Sequence, residues 1–230
     1  MNKPLPDVMI VADVETTGVS PDSKIVEVSL VEVDKDLEVV HALSSHINPG
    51  IHIPASASAI HHITDSMVAD APTEAQFFSR LAGLKAKPVI FVAHNAAFDW
   101  QFLSPYFHPE SVILDTLRLA RHVFPAPDVV ENHKLQTLRY TFSLDAGRAH
   151  SADGDTLTLV SLIKLIAQEH NLSVEEMVEL AARRLAIKSL PFGKHAGVPL
   201  EDLPKDYVRW ALGNMTRLDA DHRAALEAVL

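Results

Sequence analysis

Five side chains in three separated blocks carry the groups a metal-assisted phosphodiester cleavage needs: Asp13, Glu15, Asp99, His150 and Asp155. The first block, Asp13-Val14-Glu15-Thr16-Thr17-Gly18, ends an apolar run. The second, His94-Asn95-Ala96-Ala97-Phe98-Asp99, follows another, and the third, His150-Ser151-Ala152-Asp153-Gly154-Asp155, opens a long helical pattern. Hard divalent cations such as Mg²⁺ prefer carboxylate oxygens. Two of them about 3.5–4 Å apart can stabilise both the attacking and the leaving oxygen of an in-line displacement. Without cations the cluster is costly, since two like charges about 4 Å apart repel by about 4 kcal/mol at an effective dielectric near 20. An imidazole titrates near pH 6.5, so neutral His150 can accept a proton from water around neutrality.

The elements that must position these groups are legible from periodicity. Residues 8–14, 25–33 and 37–46 read as strands, and alternation along the first sends Asp13 and Glu15 to one side. Further strands are expected at Val89–Val92 and Val112–Leu114. Helices are expected at Glu74–Leu84, from Ala97, and over Thr116–Val123, Leu135–Phe142, Asp155–His170 and Ser173–Ala186. The last opens with a Ser173-x-x-Glu176 capping box. Strands first, then alternation with helices, predict an α/β fold with a mixed sheet. Each block has a bland reading by itself: a solvent-facing strand end, a turn, a helix cap. All three would have to hold together.

Composition sets the bounds. The 230 residues, 47% of them apolar, suffice for one substantial core and a small appendage. The absence of cysteine excludes disulfides, a thiol nucleophile and a zinc–thiolate centre, and fits a cytoplasmic location. No signal peptide or membrane span is expected, because the apolar runs are short or carry charge. The net charge of −10 argues against a long track of phosphate contacts. Residues 181–230 run the other way, with eight Lys/Arg against six Asp/Glu.

The three blocks resemble the exonuclease motifs of DnaQ-like 3′→5′ exonucleases with four acidic residues and a histidine. Ala59-Ile60-His61-His62-Ile63-Thr64 is similar to the family's nucleotide-pocket segment. Residues 60–71, 117–121, 192–197 and 206–210 make the chain resemble the exodeoxyribonuclease X group within it. The resemblance implies a ribonuclease-H-like, five-stranded mixed sheet flanked by helices, with a small, mostly helical C-terminal extension. The expected division is 1–172 for the exonuclease domain and 173–230 for an accessory module.

The resemblance further implies a two-metal exodeoxyribonuclease releasing 5′-mononucleotides in DNA repair. It would use Mg²⁺, with Mn²⁺ as a substitute. Asp13, Glu15, Asp99 and Asp155 would be the metal ligands and His150 the general base. Thr16, Thr17, Ile60, His61, Asn95 and Phe98 would position the terminal nucleotide. The implied partners are DNA 3′ ends, single-stranded or duplex, and a homodimer is compatible with it. The same motifs admit RNA trimming or a polymerase-bound proofreading subunit. A non-enzymatic nucleic-acid scaffold would be expected to have lost a catalytic group, and none is lost here.

Several other residues read as structural. Asp115 fits a helix cap for Thr116 onward rather than another ligand, and Trp100 a packing residue under the site. In the tail, Pro191–Gly197 reads as a glycine-bounded turn, Leu203, Tyr207 and Trp210 share helical spacing, and a last helix starts from Asp219. The module's Lys194, His195, Arg209, Arg183 and Arg184 could touch a DNA backbone, but a packing or oligomer role for it is favoured.

Overall fold

The apolar runs form one five-stranded sheet: β1 (Met9–Thr16), β2 (Ile25–Val33), β3 (Val39–His46), β4 (Ile90–Ala93) and β5 (Val112–Asp115). Their order is β3-β2-β1-β4-β5. Short turns make β1, β2 and β3 antiparallel neighbours, whereas β4 and β5 pair parallel to β1 and to each other after longer crossovers. This is the mixed five-stranded α/β sheet that the sequence predicts. The computed structural model describes residues 4–144, 151–216 and 218–230, so His150 lies outside the described residues.

Contacts divide the chain into two units, 1–182 and 183–230. The first holds α1 (Ala55–His61), α2 (Asp65–Val68), α3 (Glu74–Phe78), α4 (Ala97–Leu103), α5 (Thr116–Val123), α6 (Leu135–Thr141), α7 (Ala152–His170) and α8 (Val174–Ala182). Strand alternation sorts its core into two layers. Met9, Val11, Val31, Val33, Ile90 and Val92 face a cluster that includes Leu119, Leu138, Leu159, Ile163 and Met177. Ile10, Ala12, Val14, Val28, Leu30 and Phe91 face the other, with Phe77, Phe78, Phe102 and Leu103. Odd-numbered β1 residues therefore look toward α7, which decides where Asp13 and Glu15 point.

Several boundaries differ from the sequence expectation, each for a local reason. β3 begins at Val39 rather than 37, because Leu37 turns the chain at φ +61° while Asp34 accepts the N–H groups of Asp36 and Glu38. The helix expected over Glu74–Leu84 is α-helical only to Phe78 and continues as a 3-10 segment, Ser79–Lys85, broken at Leu81. Leu81, at that break, and Leu84 both pack on the core. α7 starts at Ala152, three residues before the expected 155. α8 has the predicted capping box, the Ser173 N–H donating to Glu176 Oε2 at 2.8 Å, but stops at Ala182. Met177 and Ala181 on α8 are buried with β1, β4 and α7, so α8 joins the first unit and the division falls ten residues past the expected 172.

The second unit contains α9 (Lys205–Asn214) and α10 (Ala220–Ala228) around buried Leu190, Leu200, Leu203, Val208, Ala211 and Leu226. Asp219 caps α10 by accepting the His222 N–H at 2.8 Å. In the 191–197 turn Gly193 has φ +87°, and a Cβ there would come within 2.9 Å of Tyr207 Oη and 2.8 Å of Met215 Cε. No helix among the described residues is long and apolar enough to cross a membrane.

Candidate active site

β1 and α7 build the centre. Each of Asp13, Glu15 and Asp155 offers a carboxylate oxygen, and these three atoms lie within 4.8 Å of one another. Asp13 and Glu15 are there because they sit two apart on one strand. Asp155 is there because it lies in the first turn of α7, which packs on that face. At such a separation each like-charged pair repels by about 3–4 kcal/mol at an effective dielectric near 20.

Asp99 arrives from a different direction. It lies in the first turn of α4, is 3% exposed, and its Oδ1 accepts the Val14 N–H at 3.1 Å. That bond ties the second motif to the strand of the first. Asp115 orients the approach to it. Its carboxylate accepts the N–H groups of Asn95 and Ala96 as well as those of Leu117 and Arg118. It is thus the expected helix cap, and it also clamps the loop in which Asn95 takes φ +68°. His94 is held between Thr116 Oγ1 and the His133 carbonyl, at 3.0 and 2.7 Å. Trp100 packs edge-on against Phe91, a core role as expected.

The electrostatics follow from burial and crowding. Asp13 is held well above the usual carboxylate range, first by burial and then by Asp99, Asp155, Glu15 and Glu27. Glu15 is raised to about 7 by burial, Asp155 and Glu27. Asp99 is raised to about 8 by burial, although the Val14 N–H opposes the shift. Among the described residues the donors are carboxylate oxygens that cannot comfortably carry their own charge, a set that fits a hard divalent cation.

A pH dependence follows. For Glu15 and Asp99 the folded values of about 7 and about 8 exceed the ordinary 4.5 and 3.8. Each group's contribution is complete below its ordinary value and is lost as pH rises through its folded one, because the unfolded chain releases the proton sooner. In EDTA, the melting temperature should therefore fall between about pH 5 and 8, and added Mg²⁺ should flatten that fall. A midpoint unchanged over this range in EDTA would contradict the crowded geometry.

The expected nucleotide-contacting residues divide into three groups. The hydroxyls of Thr16 and Thr17 are committed to the turn after β1: Thr16 Oγ1 donates to the Gly18 carbonyl at 2.6 Å, and Thr17 Oγ1 accepts the Lys24 N–H at 3.0 Å. Ile60 is 61% exposed, Phe98 is half-buried and Asn95 is exposed. His61 is buried, with Nδ1 accepting the Ile63 N–H at 3.0 Å and Nε2 making no hydrogen bond. Burial lowers its pKa, and the Thr16 backbone is close enough to oppose this, so the ring sits beside the first motif.

Two residues that sequence reasoning missed act on this centre. Gln136 on α6 donates from Nε2 to Asp155 Oδ1 at 2.6 Å. Glu27 on β2, 7% exposed, accepts the Ala152 N–H at the start of α7. The available signal was Glu27 itself, an acid on the inward side of a strand otherwise fit for a core. Gln136 carried no comparable signal.

Residues 10–163 match the family described as Exonuclease, and residues 178–214 match one described as "Putative quorum-sensing-regulated virulence factor". Exodeoxyribonuclease 10 of Escherichia coli (strain K12) is 28% identical over 224 residues, covering 96% of this chain and 97% of its own length. The PolC-type DNA polymerase III of Caldanaerobacter subterraneus subsp. tengcongensis is 30% identical over 193 residues. That match covers 79% of this chain and only 13% of the polymerase. Among solved structures, Exonuclease X in complex with 5′ overhanging duplex DNA superimposes with a TM-score of 0.63 at 28% identity. It covers 76% of this chain and 99% of that one.

Proposed function

Since the chain belongs to the DnaQ-like 3′→5′ exonuclease family, we propose that it is an exodeoxyribonuclease removing 5′-mononucleotides from DNA 3′ ends, in DNA repair. The convergence of Asp13, Glu15 and Asp155 within 4.8 Å carries this reading. The two-way, nearly full-length likeness to an exodeoxyribonuclease supports DNA as the substrate. Asp13, Glu15 and Asp155 would hold one divalent ion, with Asp13 and Asp99 serving a second. Mg²⁺ is the proposed ion and Mn²⁺ its substitute. When bound, such a pair supplies positive charge for the attacking and leaving oxygens of an in-line displacement.

The remaining work falls to the chain. His150 accepts the proton of the attacking water, a role for a neutral imidazole near physiological pH. Gln136 holds Asp155 in its rotamer through the 2.6 Å bond. Ile60 and Phe98 offer apolar surface to the terminal base, a contact that grips without reading sequence. His61, buried beside the Thr16 backbone, would support the wall of the nucleotide pocket. Thr16 and Thr17 would act through backbone groups at the end of β1, and Asn95 through its exposed side chain.

The test is a 5′-labelled DNA strand and its RNA counterpart, each with Mg²⁺ or EDTA. A ladder shortening from the 3′ end of DNA, absent in EDTA, is the expected result. A ladder on RNA alone would make the protein an RNA-trimming enzyme. Binding without cleavage of either strand would make it a scaffold.

A further inference from the structure

We propose that Glu27 is a positioning residue for the reaction: from the sheet, its carboxylate caps α7 and so fixes Asp155 opposite Asp13 and Glu15. The inference rests on the reading of the site given above.

Four observations converge on Glu27. The N-cap residue of α7, Ser151, makes no side-chain capping bond to the helix. Glu27 Oε2 instead accepts the N–H of Ala152 at 2.8 Å, across 125 residues of sequence. Its other oxygen lies 3.5 Å from His46 Nε2. Glu27 is the direct cross-strand partner of both Glu15 on β1 and His46 on β3, so the three side chains form one row across the sheet.

Electrostatics explains why an acid occupies this position although Glu15 is beside it. Like charges directly opposite on adjacent strands destabilise a sheet. The positive end of a 19-residue helix and a charge-assisted N–H bond offset that cost. A second tie makes the cap a register. Ser29 Oγ lies 2.9 Å from Thr156 Oγ1, two residues along β2 and four along α7 from the first tie. Two strand residues advance about 6.6 Å and four helical residues about 6 Å, so both ties can hold at once. Asp155 lies between the two anchored helix positions, Ala152 and Thr156. The stretch of helix that carries its carboxylate is thereby set by β2, while Gln136 holds the carboxylate itself.

Glu27→Ala and Glu27→Gln, compared with the parent chain, test this. The amide keeps an oxygen to accept the Ala152 N–H, and alanine does not. Glu27→Ala should lower kcat by roughly 10–100-fold with KM for the oligonucleotide within about twofold, and weaken Mn²⁺ binding by calorimetry to a similar degree. Hydrogen exchange at the Ala152 amide should accelerate. Glu27→Gln should recover most of all three. Should the alanine variant unfold, Glu27→Asp, one methylene short of Ala152, takes its place. An unchanged Mn²⁺ affinity and exchange rate in the truncated variant would overturn the proposal. So would a glutamine variant as impaired as the truncated one, or a loss confined to KM. The parent's own turnover tests the exonuclease reading separately, because the calorimetric and exchange measurements need no cleavage.

Discussion

Asp13→Asn is expected to lower turnover by roughly a thousandfold or more while raising the melting temperature of the metal-free protein. The two effects share one cause. Asp13 is surrounded by Asp99, Asp155, Glu15 and Glu27, which together with burial hold its carboxyl far from its ordinary behaviour. Asparagine keeps the shape and removes the charge from the middle of that set. In the proposed mechanism the same charge serves both cations, so its loss cannot be compensated by a neighbour. Relief of the repulsion shows in the opposite direction, as stability. A gain of about 1 kcal/mol would raise the midpoint by roughly 2–4 °C for a chain of this size. Saturating Mg²⁺ should then stabilise the parent more than the variant. Residual activity above a few per cent of the parent, or a lower metal-free midpoint, would contradict the central placement of Asp13.

His150→Ala should lower kcat by about 10²–10⁴-fold, the range typical of a lost general base, without weakening divalent-metal binding. In the proposed mechanism the carboxylates of Asp13, Glu15, Asp99 and Asp155 hold the cations while the imidazole takes up a proton, so the two roles should separate. The chain just past His150 has a tie to the sheet: Ser151 is buried, and the Ala152 N–H is bound by Glu27. Removing the imidazole should therefore leave α7 and Asp155 in place. Stopped assays from pH 5 to 9 should show the acid limb of the parent profile flattened in the variant. A parallel fall in Mn²⁺ affinity would instead make His150 a ligand or a structural support.

Sequence alone determined those features that depend on neighbours a few residues apart. Alternation along β1 sends Asp13 and Glu15 to one face, and that holds whatever packs there. The caps at Asp115 and Ser173 were legible because a capping side chain reaches only two or three residues onward. The five-strand α/β pattern was legible because apolar period is a local property. Only the tertiary structure decided which face α7 covers, and with it the meeting of Asp155 with Asp13 and Glu15. It also decided that Asp99 bonds the Val14 N–H, that Gln136 holds Asp155, that His61 is buried beside Thr16, and that α8 belongs to the first unit. Glu27 shows the reason most clearly. Its partner lies 125 residues away, and no periodicity or capping rule extends that far. Such contacts are set by how whole elements stack, which depends on burying both faces of the sheet at once rather than on any single stretch of chain.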